Sequence, residues 1–133
     1  MAHSLSLSIL PGSYCICKLA PADMASPWIA ELFDSERSSF SCFTRTQSQL
    51  SLVCERNWPP ATVKRESDFA ILKLGEQFDF QQIGLFLSVA KPLADANISI
   101  LPIATFDTDY VMIKQRDMPA ALDALLAAGH SVS

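Results

Sequence analysis

The sequence predicts an α+β fold, with antiparallel sheets carrying helices on one face. Three observations predict it. Short apolar–polar alternations recur along the 133 residues, as strands with one buried face require. Other segments space their apolar residues at helical intervals. The second half reads β-α-β-β-α-β, and the first half reads the same with its second helix shortened or lost. That order is the ferredoxin-like plan.

Taken in order, Leu5, Leu7 and Ile9 alternate with serine as a strand, and Pro11-Gly12 turns the chain. Residues 14–19 form a second strand. Pro27 to Phe33 is a short helix with proline at its start and a serine before it. Residues 40–46 and 50–55 form a strand pair. Arg56 to Glu66, polar and with adjacent prolines, is the linker. This places one subdomain at 1–66 and another at 67–133.

In the second half, residues 68–74 are a strand that Gly75 ends. Phe80, Ile83, Phe86, Leu87, Ala90, Leu93 and Ala94 make a helical stripe read as core, which Pro92 kinks or interrupts. Ile98 to Gln115 is a strand pair, and Pro102 inside it is tolerable only at a sheet edge. The last helix has Asp117 as N-cap, Pro119 in its first turn and Gly129 as its stop, with His130 capping its final carbonyls. The closing His-Ser-Val is an edge strand. A shift of sixty positions lays residues 43–53 on 103–113, strand on strand and polar tip on polar tip.

Composition narrows the function. Half the residues are hydrophobic and 18% are charged, with a net charge of −4. A packed core follows, and nucleic acid or anionic membrane is disfavoured, because phosphate binding needs clustered Lys and Arg. The longest apolar run is far too short to span a bilayer. The serine-interrupted N-terminus reads as a strand rather than an export signal, so a cytoplasmic location with reduced cysteines is expected.

The stretch "TFDTD", Thr105 to Asp109, sets two carboxylates and two hydroxyls at a hairpin tip between apolar strands. Asx and hydroxyl side chains serve tight turns, and they also suit a small charged guest. Gly84, at a helix start, offers unpaired backbone N–H groups and a partial positive charge for a carboxylate. Asp107 and Asp109 offer acceptors for an ammonium.

Residues 78–114, with Asp79-Phe80, Gly84, "PLADANI" and "TFDTD", resemble the second ACT domain of small tandem-ACT proteins. The chain is similar there to the aspartate kinase regulatory region and to animal cytosolic arginine sensors, and "TRTQSQLSLVC" resembles the family's first-half signature. The resemblance implies two ferredoxin-like ACT subdomains packed together. It implies a non-catalytic regulatory module, a homodimer, binding a small molecule such as an amino acid where two ACT domains meet. Its implied ligand contacts are Gln82, Ile83, Gly84, Leu85, Thr105, Phe106, Asp107, Asp109 and Thr44. Ile83 stands where relatives often carry a small polar residue, and Gln49 where an acidic one is usual. Both favour the alternative, a protein–protein interaction module with a degenerate pocket.

No catalytic pair, cofactor or metal site is expected. Cys15 and Cys17, two apart, share one face of a strand, and Cys42, Cys54, His3 and His130 could join them at a zinc ion, but no Cys-x-x-Cys spacing exists and buried free cysteine is ordinary. Trp28 and Trp58 read as packing residues, Trp58 also as a cover for a pocket. The aromatic-basic strand motif of RNA-binding sheets is missing.

Overall fold

The computed structural model describes residues 4–75 and 84–133. Along the chain run β1 (Ser6–Ile9), β2 (Tyr14–Leu19), a 3₁₀ turn (Pro21–Ala25), α1 (Pro27–Asp34), β3 (Cys42–Arg45), β4 (Leu50–Glu55) and β5 (Lys64–Leu74). Then come α2 (Leu85–Asp95), β6 (Leu101–Ala104), β7 (Asp109–Lys114), a 3₁₀ turn (Gln115–Asp117), α3 (Met118–Ala127) and β8 (Ser131–Val132).

Two compact units result: Gly12–Asp68, and Phe69–Ser133 joined by the segment ending at Pro11. The division at 66/67 therefore misplaces one element. β1 pairs antiparallel with β5, Leu7 opposite Leu74, and β8 pairs parallel with β1. The alternation of Leu5, Leu7 and Ile9 shows that β1 is a strand, but alternation does not name a partner. The linker also ends earlier than its polarity suggests. Lys64–Asp68 is already strand, its side chains alternating exposed and half-buried.

In the larger unit the strand order is β6–β7–β5–β1–β8. Among the described residues β6 pairs with β7 alone, so Pro102 sits on an edge strand, where its missing N–H costs nothing. The core joins Leu7, Leu72, Leu74, Val111 and Ile113 of the strands to Val89, Leu93, Ala121 and Leu125 of the helices. Each fully buried aliphatic side chain contributes roughly 1.5–3 kcal/mol. The α2 stripe is rotated from the one expected. Leu85, Val89 and Leu93 are buried, Leu87 is 61% exposed, and Phe80 and Ile83 lie outside the described residues. Pro92 is accommodated inside α2.

Both long helices end in the same hydrogen-bonded turn. Gly129 (φ +96°) donates to Leu126 O and His130 N–H to Leu125 O; Asn97 (φ +59°) donates to Ala94 O and Ile98 N–H to Leu93 O. Asp117 stands at the N-cap of α3, but its side chain makes no capping bond.

In the smaller unit the order is β3–β4–β2–β5, and Ile29 and Leu32 of α1 pack on Leu50, Leu52 and the thiols of Cys15, Cys17 and Cys54. Among the described residues, no helix separates β4 from β5. The hairpins of the two units share one register. Cys42 faces Val53 as Leu101 faces Met112, and Arg45 faces Leu50 as Ala104 faces Asp109, a shift of 59 residues throughout. The strand before each helix matches too: Leu19 pairs with Leu50 as Leu74 pairs with Asp109. The sixty-position overlay was one residue out.

Candidate functional site

The tip of the β6–β7 hairpin is held by its own polar groups. Thr105 donates to Thr108 O from its N–H (2.8 Å) and from Oγ1 (3.0 Å). Thr108 Oγ1 donates to Asp107 Oδ1 at 3.2 Å. Thr108 is buried, Asp107 and Asp109 are half-buried, and Phe106 is 80% exposed. The turn reading of these residues is thus correct as far as Thr105 and Thr108 go. The smaller unit repeats the device: Thr46 N–H donates to Gln49 O at 2.8 Å, with Thr46 Oγ1 at 3.4 Å from the same oxygen.

The start of α2 stands at the same end of the larger unit as this tip. Leu74, the last residue of β5, pairs with Asp109 on one side and with Leu7 on the other. Leu5 therefore extends past that end, and its N–H donates to His130 Nδ1 at 3.1 Å. His130 Nε2 in turn lies 2.8 Å from Ser88 O, in the first turn of α2. Gly84 precedes that turn as N-cap at φ +83°, with no side chain capping the helix.

The equivalent elements of the smaller unit line one open cleft of about 660 Å³. Ser26, N-cap of α1, and Ser48, in the hairpin tip, both border it. So do Lys18, Asp23, Trp28 and Lys64. The Asp23 carboxylate is anchored by the Ala20 N–H at 2.9 Å. Two ammonium groups, a fixed carboxylate and an indole around one space can hold a small zwitterion by both of its charges.

Under the cleft unit's helix, Cys15, Cys17 and Cys54 bring their sulfurs within 4.8 Å of one another. Cys15 and Cys17 are 3.8 Å apart, and Cys15 Sγ lies 3.6 Å from Cys54 O. The bond with Cys17 makes Cys15 the first to ionise, and the same bond holds Cys17 up at about 12. Contacts with Cys15 and Cys17, then burial, raise Cys54. Cys42, opposite Val53, faces the other side of the sheet; its thiol is raised by burial. All four thiols are free.

Of the residues expected to touch a ligand, Gly84, Leu85, Thr105, Phe106, Asp107 and Asp109 belong to the larger unit, at the end just described. Leu85 is buried in the helix. Gln82 and Ile83 lie outside the described residues. Thr44 is exposed on β3 of the smaller unit, opposite Ser51. His130 caps α3 through its backbone N–H, which donates to Leu125 O, while its ring bridges Leu5 and α2. Trp58 packs on the smaller core, donates from Nε1 to Glu55 (3.3 Å) and carries Arg37 5.7 Å from its ring centre. The cleft of Lys18, Asp23 and Lys64 was missed, because its residues are scattered over β2, a turn and β5. The thiol cluster was missed because pairing of β2 with β4, not spacing in sequence, brings Cys54 to Cys15. Among the described residues no helix is long and apolar enough to cross a membrane.

Residues 64–127 match the ACT domain family. Over 99% of its length the chain superposes on 94% of Atu0741 from Agobacterium tumefaciens, with 32% identity and a TM-score of 0.87. The regulatory subunit of aspartate kinase from Thermus thermophilus shares the fold, with a TM-score of 0.65 over 96% of this chain and 99% of that one at 13% identity. The human protein CASTOR3P is 29% identical over 68% of this chain, and the match spans 64% of that relative's length. The chain belongs to one family with Atu0741, and its second half is similar to the ACT domain.

Proposed function

We propose that the chain is a non-catalytic regulatory module of two ACT-like subdomains that binds a free amino acid. The ligand's carboxylate meets the N–H groups that follow Gly84, and its ammonium meets Asp107 and Asp109. The observation that carries this reading is the shared end of the larger unit, where the α2 start and the β7 start stand together. The cleft of the smaller unit supports it, since there the equivalent helix start and hairpin tip enclose about 660 Å³. The ACT match and the likeness to an aspartate kinase regulatory subunit support the class of function. On this reading the protein works as a homodimer in the reducing cytoplasm, and its output is the activity of a partner protein.

The alternative is a protein–protein interaction module with its pocket lost, favoured by one observation: Thr105, Thr108 and Asp107 already satisfy one another. A thermal-shift screen of the twenty amino acids separates the two. The sensor reading expects one of them to raise the melting temperature saturably. Silence at millimolar concentrations of all twenty leaves the interaction module.

A further inference from the structure

Buried cysteine is ordinary by itself. Three sulfurs delivered by two paired strands to one point are not. We propose that Cys15, Cys17 and Cys54 form a three-coordinate binding site for a soft monovalent cation, Cu(I). The distances fit: with metal–sulfur bonds of about 2.3 Å, three ligands spread evenly around an ion stand about 4.0 Å apart. Cys15 and Cys17 are 3.8 Å apart, and all three sulfurs lie within 4.8 Å of one another.

The donor set selects the ion. Among the described residues, no histidine or carboxylate joins the three thiols. Zinc favours a fourth ligand, whereas thiolate sulfur selects Cu(I) among the common alternatives. The site is built in advance, because Cys15 lies directly opposite Cys54 in the β2–β4 ladder and Cys17 shares its face. A cavity of about 210 Å³ borders Cys17 and Arg65. Arg65 is pinned through its guanidinium to the carbonyls of Pro59 and Pro60 and offsets the negative charge of a thiolate complex. Thiol protons leave to water as the ion binds, and no electron is transferred. The expectation that cysteines without metal-ligand spacing hold no metal gives way to this arrangement.

The test is anaerobic titration of the reduced full chain with Cu(I) in competition with bicinchoninate, read by thiolate-to-copper charge-transfer absorbance. One equivalent is taken from the chelator by the parent and by Cys42→Ser, and uptake falls at least tenfold in Cys17→Ser. X-ray absorption of the unmodified copper-loaded protein, which needs no variant to fold, gives three sulfurs at about 2.3 Å. Failure to compete, equal uptake by Cys17→Ser, or a copper shell with fewer than three sulfurs overturns the proposal. A preference for Zn(II) over Cu(I) overturns the choice of ion.

Discussion

His130 Nε2 lies 2.8 Å from the carbonyl oxygen of Ser88, the oxygen that Pro92 leaves without its helical donor. Proline has no N–H for the acceptor four residues before it, and a buried carbonyl left unpaired is costly. Because Nδ1 accepts the Leu5 N–H, the imidazole proton belongs on Nε2, where it donates to Ser88. One buried ring thus repairs α2 and ties it to the start of β1.

His130→Ala should destabilise the protein by about 1–3 kcal/mol, the cost of leaving buried polar groups unpaired. In a Pro92→Ala background the restored N–H at position 92 reaches Ser88 O, so the same substitution costs less. A double-mutant cycle by urea denaturation measures the coupling. Strict additivity would show that the ring does not act through the proline's missing bond.

Gly129→Ala isolates backbone strain at the α3 stop. An added Cβ meets only Ser4 Oγ at an ordinary 3.6 Å, so space is not the obstacle. The φ of +96° is, and a loss of about 1–2 kcal/mol is expected from a left-handed L-residue. Asn97→Gly, at the equivalent stop of α2, should leave stability unchanged or slightly raised. Thermal melts of the two variants give the comparison.

Tyr14 is fully buried with its hydroxyl 3.1 Å from Ser39 Oγ, and burial raises its ionisation above the ordinary tyrosine range. The unfolded chain therefore loses this proton first. The contribution is complete below about pH 10 and fades as pH climbs from there toward the folded value. Tyr14→Phe should lower stability at neutral pH by about 0.5–1.5 kcal/mol, the worth of one hydrogen bond. It should also flatten the alkaline decline of the urea midpoint. An unchanged alkaline slope would exclude Tyr14 from it.

Much of the architecture was legible because it is local. The alternation in residues 5–9, the turn at Gly129 and the edge position of Pro102 each follow from a few neighbouring residues. Strand partnership was not, so β1 was assigned to its neighbours in sequence instead of to β5 and β8. The register of the hairpins was read one residue out for the same reason: polar tips align loosely, while ladder pairs such as Arg45–Leu50 and Ala104–Asp109 align without slack. The role of His130 needed three elements at once. The cleft around Lys18 and Lys64 and the thiol cluster needed the β2 pairings, which no spacing rule contains.

The central claim is that a free amino acid is held by its ammonium at Asp109. Isothermal titration of the parent chain and of Asp109→Asn with the twenty amino acids tests it most directly. The account predicts saturable heat from one amino acid in the parent. In Asp109→Asn it predicts affinity at least tenfold weaker, as loss of a charge-assisted bond of about 1.5–3 kcal/mol implies. Equal affinity in both proteins, or no heat from any amino acid at millimolar concentration, would contradict it.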